Sequence, residues 1–361
     1  MLLIKDISLT QFKTYREAAF SFSERIIGIC GQNGIGKTNL LDALYYLCFT
    51  RSYFSKSDQQ NVQYGSSGFR IEGNMEAEGT IRKVVCILRE TGKKEVLLDD
   101  EAYEKFSQHI GKFPCVIITP DDVQIITEGS EQRRRFMDTL LCQLDPRYLQ
   151  QLIEYNRILQ QRNSFLKSLA ERRAVNQALL DVYDSQLIRP GNYLFEQRTS
   201  YLHRLIALVV QLYREIAGTE ENIALAYWSQ LQQTPLQELL KLNRDKDILL
   251  GRTSSGVHKD DLDIQLQQQP FKTSASQGQR KSMLFALKLG EFELLKQEKG
   301  FSPILLLDDV FEKLDENRMF NLLDRVCLQN DGQLFLTDTH AARISRHFDR
   351  LAVRYQLIEL P

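Results

Sequence analysis

One octapeptide constrains the fold of this chain more than any other stretch. Residues 31–38 fit the pattern G-x-x-x-x-G-K-[ST] at every fixed position, which is typical of a phosphate-binding loop. Such a loop works only between a β-strand and an α-helix. The apolar run Ile26–Cys30 precedes it and the helix-like run Asn39–Leu47 follows it. The sequence therefore predicts an α/β fold with a phosphate-binding loop, and a chance match by a Gly-rich turn is the weaker alternative.

The loop predicts a nucleoside triphosphate and Mg²⁺ as ligands. Its glycines let backbone N–H groups turn towards phosphate oxygens, and the next helix adds the positive end of its dipole. Lys37 is expected to reach the β- and γ-phosphates, which also makes it a catalytic candidate, and Thr38 is expected to bind Mg²⁺. The predicted ligand contacts in the loop are Gly31, Gln32, Asn33, Gly34, Ile35, Gly36, Lys37 and Thr38.

Two acids follow an uninterrupted apolar run at residues 303–307. Such a run suits a central parallel strand, and the carboxyl end of such a strand is where open α/β sheets bind ligands. Asp308 is therefore predicted to hold Mg²⁺ together with Thr38, and Asp309 to orient or deprotonate the attacking water. Two acids after a core strand are common by themselves, so this prediction depends on the phosphate-binding loop.

A second candidate anion site lies at residues 276–279, before the predicted helix Ser282–Lys296. A serine and a glycine that open a long helix leave N–H groups free for an anion. Because the chain already has one loop for a triphosphate, this second helix start suggests a site completed by a partner subunit. Ser276, Gly278 and Gln279 are its predicted contacts, although the segment alone is better explained as a capped helix.

The chain order predicts three parts. Residues 1–145 contain the loop and three runs with period-two alternation, which indicate an antiparallel meander. Those runs are Phe69–Met75, Thr80–Leu88 and Lys94–Leu98. Residues 146–220 have helical spacing and are predicted to form an inserted all-helical lobe of three helices, the last two separated at Pro190-Gly191. Residues 221–361 return to alternating strands and helices, which favours an α/β class.

Composition narrows the class of protein. The chain of 361 residues is 43% hydrophobic and 26% charged, an ordinary soluble composition that allows a sizeable core. It contains no apolar run of about 18 residues, so a transmembrane helix is not expected. Residues 1–6 lack the features of a signal peptide, and a cytoplasmic location is expected. Its six cysteines are scattered without a C-x-x-C pair, so buried free thiols are expected rather than a zinc site.

Charge is distributed unevenly. The net charge is −1, yet the segment from Arg133 to Arg214 carries 13 Lys/Arg against 7 Asp/Glu. This asymmetry suggests one basic face for a polyanion. A solvated helical surface explains the same excess equally well, so charge alone does not decide between them.

Together these motifs resemble the ABC-type ATPase heads, and more specifically the RecF family of SMC-like bacterial DNA repair proteins. The resemblance spans nearly the whole chain. The segments that carry it are Phe12–Tyr15, Gly31–Asn39, Gly129-Ser130, Arg133–Asp138, Tyr155–Arg157, Gln161–Asn163, Gly256–Leu262, Ser276–Arg280, Asp308-Asp309 and Leu314-Asp315. It implies an ABC-type ATPase head, with a mixed sheet and an antiparallel subdomain, plus the short helical lobe.

The resemblance also implies a function. It predicts a homodimer that forms on ATP binding and binds DNA at single-strand gaps or at junctions of single strand and duplex. RecO and RecR are the implied partners in loading RecA, and slow ATP hydrolysis would release the dimer. Asn39 joins the implied ATP contacts, and Leu314-Asp315 matches the D-loop that touches the opposing subunit.

The chain departs from the family pattern in three places: Ser52-Tyr53-Phe54, Val257, and Thr337–His340. In the last departure His340 could serve as the switch histidine of ABC-type ATPases, but the adjacent Asp338 leaves the γ-phosphate-sensing residue unassigned. Two other functions also remain open. One is an ABC-type ATPase subunit that drives a partner other than DNA, and the other is a scaffold that binds nucleotide and seldom hydrolyses it.

Overall fold

The computed structural model describes residues 1–172, 177–310 and 316–361. Its strands are β1 (Leu2–Phe12), β2 (Tyr15–Ser21), β3 (Ile26–Cys30), β4 (Phe69–Ala77), β5 (Thr80–Leu88), β6 (Lys94–Leu98), β7 (Glu101–Ala102), β8 (Cys115–Ile118), β9 (Ile223–Trp228), β10 (Asp261–Leu266), β11 (Gln269–Pro270), β12 (Ile304–Leu307), β13 (Leu334–Asp338) and β14 (Gln356–Glu359). Its helices are α1 (Lys37–Phe49), α2 (Gln124–Thr127), α3 (Ser130–Leu144), α4 (Pro146–Arg172), α5 (Gln177–Ala217), α6 (Leu236–Leu242), α7 (Arg244–Leu250), α8 (Phe271–Ser274), α9 (Gln277–Lys299), α10 (Glu316–Cys327) and α11 (Ala341–Arg350). The predicted D-loop, Leu314-Asp315, lies outside the described residues.

A five-stranded parallel sheet carries the phosphate-binding loop. Its strand order is β14-β3-β13-β12-β8, and every neighbouring pair is parallel. Strands β3, β8, β12 and β13 are buried along their whole length, as expected for strands covered on both faces. The order brings the carboxyl ends of β3, β13 and β12 together, so residues 31–38, Asp338 and Asp308 lie at one edge of the sheet.

The predicted antiparallel meander is part of a second sheet. Strands β4, β5 and β6 pair antiparallel in sequence order, as predicted, and β1 and β2 extend the sheet on the β4 side. A register shift between Ile4 and Asp6 inserts one extra residue into β1. Because side chains alternate along a strand, this bulge moves the buried positions from Leu2 and Ile4 to Ile7 and Leu9, keeping all four in the core.

The chain divides into two compact units. The first contains Met1–Val123, Gln211–Glu220 and Ser276–Pro361, and it holds both sheets described above. The second contains Gln124–Val210 and Glu221–Ala275, with the antiparallel sheet β11-β10-β9 and helices α2–α4 and α6–α8. The predicted division into residues 1–145, 146–220 and 221–361 stays a prediction, and the second unit takes residues from all three parts.

The predicted helix break at Pro190-Gly191 is wrong. Helix α5 is continuous from Gln177 to Ala217, and Pro190 lies inside it. An added Cβ at Gly191 would lie 2.4 Å from Leu236 Cδ2 and 3.2 Å from the Tyr155 ring. The glycine therefore marks a close approach within the second unit rather than a turn, and packing overrides the local preference of proline to end a helix.

Two arginines of the basic segment are buried structural residues. Arg198 is 2% exposed and donates to Asp260 at 2.7 Å, to Asp138 at 2.8 Å and to the Tyr148 hydroxyl at 2.9 Å. Arg162 is fully buried as well. A buried guanidinium needs such partners because an uncompensated charge in the interior is strongly unfavourable. Part of the basic excess therefore stabilises the second unit and is not available to a polyanion.

The sequence led us to expect buried thiols and no transmembrane helix. All six cysteines are buried and none is in a disulfide, and burial raises the pKa of Cys86 and of Cys327 to about 12. Among the described helices, none has a stretch long and apolar enough to cross a membrane.

Helix α9 carries a buried acid and base one turn apart. Lys288 Nζ lies 4.0 Å from Glu291 Oε2 and 3.8 Å from Asp122 Oδ2. Burial raises the pKa of Glu291 to about 7, the positive charge of Lys288 opposes this shift, and the charge of Asp122 adds to it. Glu291 is therefore partly protonated in the folded protein near neutral pH.

We expect Glu291 to make stability depend on pH. Its folded pKa of about 7 lies above the ordinary glutamate value of about 4.3, so the folded state binds more protons than the unfolded state between these values. Stability from this group is complete below about pH 4 and falls by about 3 kcal/mol as pH rises to 7. Urea unfolding at pH 5 and pH 7.5 should show this fall for the parent but not for Glu291→Gln. Glu298→Gln, an exposed change in the same helix, should behave as the parent, and an unchanged pH dependence in Glu291→Gln would contradict the assignment.

Candidate nucleotide-binding site

The phosphate-binding loop lies between β3 and α1, as the sequence predicts. Gly31, Gly34 and Gly36 all have positive φ angles, of 151°, 82° and 121°, which favour glycine. At Gly36 space is also limited, because an added Cβ would lie 2.8 Å from Thr14 Oγ1 and 3.0 Å from the Tyr15 hydroxyl. The Tyr15 hydroxyl donates to the Gly36 carbonyl at 3.0 Å, so β1 and β2 hold the loop from one side.

Alanine substitutions at two glycines of the loop distinguish the cost of backbone strain from the cost of steric crowding. Gly34→Ala meets no atom within 4 Å and should cost only the strain of a positive φ, about 1 kcal/mol. Gly36→Ala adds a collision with Thr14 and Tyr15, so we expect a loss of about 2–4 kcal/mol. Urea unfolding of both variants measures the difference. Equal losses would show that the contacts of Gly36 do not shape the loop.

Lys37 is the first residue of α1 and is only 5% exposed. Its Nζ donates to the carbonyls of Gly31 at 2.8 Å and Gln32 at 3.1 Å, so the ammonium closes the loop on itself. A phosphate in the loop would offer this ammonium stronger, charged acceptors than two carbonyls. The arrangement therefore holds a positive charge where the sequence predicts the β- and γ-phosphates.

Thr38 and Asp308 are brought together as predicted. Thr38 Oγ1 donates to Asp308 Oδ1 and Oδ2 at 3.1 and 3.0 Å, and Thr337 Oγ1 donates to Oδ1 at 2.8 Å. Burial raises the pKa of Asp308, the hydrogen bonds from Thr337 and Thr38 oppose the shift, and the charge of Asp309 adds to it. A hydroxyl and a carboxylate are the oxygen donors that Mg²⁺ prefers, and phosphates and water complete such sites. These residues fit the predicted metal ion.

Asp309 is half-buried and sits one residue beyond the metal-binding candidate. Its φ angle is 45°, in the left-handed region, and its backbone N–H donates to Thr337 Oγ1 at 2.9 Å. Thr337, at the end of β13, thus contacts both acids and fixes their relative positions. The sequence marked Thr337 only as the start of the departing segment Thr337–His340 and did not reveal that it links the two acids.

The predicted second anion site is a capped helix start. Ser276 is the N-cap of α9, its Oγ accepts from the Gln279 N–H at 3.2 Å, and Gln279 Oε1 accepts from the Ser276 N–H at 2.8 Å. The reciprocal pair is a capping box. Gly278 faces Arg318 of α10, because an added Cβ would lie 3.1 Å from Arg318 Nη1. That Nη1 also donates to Ser282 Oγ at 2.9 Å, which makes Arg318 a neighbour of this helix start that the sequence did not reveal.

Asp338 and His340, which the sequence left as alternatives, have different environments. Asp338 is 1% exposed, and its Oδ1 accepts from the His340 N–H at 2.7 Å and from Arg343 Nη2 at 2.8 Å. The carboxylate is thus paired and fixes the start of α11. The His340 side chain is exposed.

The family of the chain follows from its relatives. Residues 3–356 match the family model described as "RecF/RecN/SMC N terminal domain". "DNA replication and repair protein RecF" of Flavobacterium johnsoniae is 43% identical over 340 residues, which cover 94% of this chain and 95% of that protein. The protein of the same name from Bacteroides thetaiotaomicron is 37% identical over 360 residues, covering 99% and 97%. This chain belongs to the RecF family. The resemblance inferred from the motifs is therefore confirmed, and with it membership in a family of DNA replication and repair proteins.

Solved structures agree on the fold. "Structure of the recombination mediator protein RecF-ATP in RecFOR pathway" superposes with a TM-score of 0.86 at 28% identity and covers 94% of this chain and 93% of that one. An Smc head domain from Pyrococcus furiosus superposes with a TM-score of 0.54 at 12% identity, over 96% and 92%, and is similar in fold alone. The predicted class, an ABC-type ATPase head with an inserted helical lobe, is confirmed.

One departure from the RecF family pattern, Ser52-Tyr53-Phe54, is tied to α1 by a buried acid. Asp42 is fully buried, and it accepts from Ser52 Oγ at 2.6 Å and from the Tyr53 N–H at 2.7 Å. Lys13 Nζ forms an ion pair with the same carboxylate at 2.5 Å. The signal for this site was present in the sequence, because an aspartate inside an apolar helical run needs a partner.

Proposed function

We propose that this chain is an ATP-switched DNA-binding protein of replication and recombinational repair. The observation that carries the proposal is the set of contacts joining Thr38, Asp308 and Thr337 beside the phosphate-binding loop. A loop alone predicts only phosphate binding. A hydroxyl and a carboxylate held together at its start add a place for the metal ion, and Asp309 adds a base, so hydrolysis becomes chemically possible.

In the proposed mechanism, residues 31–39 bind the triphosphate of ATP and Lys37 exchanges its two carbonyl contacts for phosphate oxygens. Thr38 and Asp308 would hold Mg²⁺, which when bound neutralises charge on the phosphates. Asp309 orients a water molecule and takes its proton as the water oxygen bonds to the γ-phosphorus. The bond from the γ-phosphorus to the bridging oxygen breaks, and ADP leaves with that oxygen.

The proposed active form is a homodimer. Ser276, Gly278 and Gln279 of one copy would contact the γ-phosphate bound by the other copy, so that ATP closes the dimer and hydrolysis opens it. The N-cap position of Ser276 supports this, since a helix start is a favourable place for an anion. Hydrolysis is proposed to be weak and stimulated by DNA, because its role is to time release.

The proposed DNA substrate is a single-strand gap or a junction of single strand and duplex in the cytoplasm. Contacts would go mainly to phosphates, so binding should be sensitive to salt and nearly independent of sequence. A relative described as a recombination mediator in the RecFOR pathway supports RecO and RecR as partners in loading RecA.

Mass photometry of the protein with and without ATP tests the proposal. The measurement is repeated with gapped, single-stranded and fully paired DNA. We expect dimers only with ATP, and salt-sensitive retention on gapped DNA. ATP-driven dimers that ignore every DNA would overturn the DNA assignment and favour an ABC-type subunit for another partner. Tight ATP binding without phosphate release, with DNA present, would favour a nucleotide-binding scaffold.

A further inference from the structure

One segment that the sequence singles out has no part in the proposed nucleotide site. It includes the family-like residues Gly256–Leu262 and belongs to the second compact unit. We name residues 251–261 the 251–261 loop. It connects α7 to β10 and contains one turn of 3-10 helix, Val257–Lys259.

Buried side chains fix the first half of this loop. Thr253 donates from its N–H and its Oγ1 to Asn163 Oδ1, at 2.8 and 2.7 Å. Arg162 Nη1, fully buried, donates to Thr253 Oγ1 at 2.8 Å and to Asp247 Oδ2 at 2.7 Å. Ser254 donates from its N–H and its Oγ to the other oxygen of Asp247, at 2.8 and 2.6 Å.

The second half is fixed by an aromatic residue and a neutral histidine. Gly256 has a φ of 128°, and an added Cβ would lie 2.6 Å from the Tyr155 hydroxyl. Burial lowers the pKa of His258 to about 4, so its imidazole is neutral at physiological pH. His258 Nε2 donates to the Thr253 carbonyl at 3.1 Å, and its Nδ1 accepts from the Tyr155 hydroxyl at 2.8 Å.

The acids nearest to the loop are already paired. Asp260 accepts from Arg198 Nη1 at 2.7 Å, and Asp261 accepts from Arg133 Nε and Nη2 at 2.6 and 2.9 Å. Asp247 is held by the buried contacts given above. The hydrogen bonds of these acids therefore go to the buried and half-buried arginines Arg162, Arg198 and Arg133.

Three cations of the same region form no ion pair within the described residues: Arg134, Arg252 and Lys259. Lys259 is half-buried and Arg252 is exposed, and neither forms an ion pair with any residue in the described part of the chain. Arg134 Nη1 donates only to a carbonyl, that of Asp260, at 2.8 Å. Burial lowers the pKa of Lys259, the positive charges of Arg252 and Arg134 lower it further, and the negative charge of Asp247 opposes the shift. Like charges gathered on a rigid frame favour the binding of an anion.

We propose that the 251–261 loop is a phosphate-binding site in which Lys259, Arg252 and Arg134 contact the backbone of DNA. The inference rests on the proposed DNA-binding function and locates part of the DNA-binding surface at this loop. Because the loop is held by buried hydrogen bonds, its cations need little ordering when a phosphate arrives. The exposed Lys167, whose backbone lies 3.5 Å from an added Cβ at Gly251, extends the basic surface beyond a single phosphate. A chain of phosphates therefore fits this surface better than a free ion.

The salt dependence of DNA affinity tests the site. We compare the parent with Lys259→Gln/Arg252→Gln on gapped DNA over a range of salt concentrations. The magnitude of the slope of log K against log salt should fall by about two, one for each phosphate contact removed. Lys272→Gln, an exposed change in the same unit, should leave the slope unchanged. ATP affinity and thermal unfolding of the double variant should match the parent, because neither side chain is assigned to the nucleotide site and neither donates a hydrogen bond within the buried network that fixes the loop.

A second readout identifies the source of the phosphate. The rate of acetylation of the Lys259 amine can be followed by mass spectrometry, and a phosphate that contacts this amine should slow it. Protection by gapped DNA at micromolar concentration supports the proposal, whereas protection by inorganic phosphate alone overturns the DNA assignment. If the parent binds DNA and the double variant keeps the full salt dependence of the parent, the proposed phosphate site is wrong but the proposed DNA-binding function stands. A parent with no salt-dependent DNA binding overturns the proposed function itself.

Discussion

A Lys37→Ala protein is expected to lose ATP binding, with an affinity at least about 100-fold below that of the parent. The ammonium of Lys37 is the charge that the loop presents to the β- and γ-phosphates, and alanine cannot replace it. Loss of its bonds to Gly31 and Gln32 should also loosen the empty loop. Isothermal titration calorimetry measures the affinity, and mass photometry measures the loss of the ATP-dependent dimer.

The matched control is Lys56→Ala, which removes an exposed lysine soon after α1 and should leave both readouts unchanged. Circular dichroism should show that Lys37→Ala remains folded, since the residue begins a helix whose apolar face is retained. Normal ATP-dependent dimers formed by Lys37→Ala would contradict the proposed mechanism.

Replacing Asp309 by asparagine is expected to stop hydrolysis while keeping ATP binding. The general base disappears, and loss of such a group lowers the rate by about 100- to 10,000-fold. Asparagine is the suitable substitution because it tolerates the left-handed conformation that Asp309 adopts, with φ 45°, and keeps the shape of the side chain. Phosphate release should fall, and ATP-bound dimers on gapped DNA should persist for longer.

The variant Asp308→Asn distinguishes the role of Asp308 from that of Asp309. It removes the carboxylate that Thr38 and Thr337 contact, so we expect Mg²⁺-dependent ATP binding to weaken together with hydrolysis. Asp309→Asn should change the rate alone. If Asp309→Asn hydrolyses ATP at the parental rate, another residue is the base, and if both variants behave alike, the division of roles is wrong.

The sequence predicted those parts of the molecule whose physical cause is local. The strand-loop-helix around residues 31–38 follows from three glycines that need positive φ and from the apolar run before them. The sequence indicated Asp308 because it directly follows the apolar run that forms the buried strand β12. The residue after such a strand lies at the edge of the sheet, where ligands bind. Strands β5 and β6 have the bounds that their alternating residues and turn signals indicated.

Local sequence patterns could not predict the roles of the arginines. Arg198 meets Asp260, 62 residues away, and Arg162 meets Asp247, 85 residues away, so only the folded chain shows that both are buried. In the run Arg133–Arg135, the first pairs with Asp261 and the last with Glu131. The basic excess was real, but its described members Arg133, Arg135, Arg162 and Arg198 have structural partners. Two of the three cations assigned to the proposed phosphate site, Arg252 and Lys259, lie outside the segment.

The capping box at the start of α9 has a consequence for the choice of nucleotide. Ser276 and Gln279 already satisfy each other's backbone N–H groups, so a phosphate can use these two N–H groups only by displacing the side chains that hold them. Such an exchange of neutral hydrogen bonds is nearly even, at about 1 kcal/mol each, and only a charged acceptor makes it favourable. ADP offers none at that position, so we expect it to leave the box closed and the protein monomeric in mass photometry. An ADP-induced dimer would contradict this selectivity.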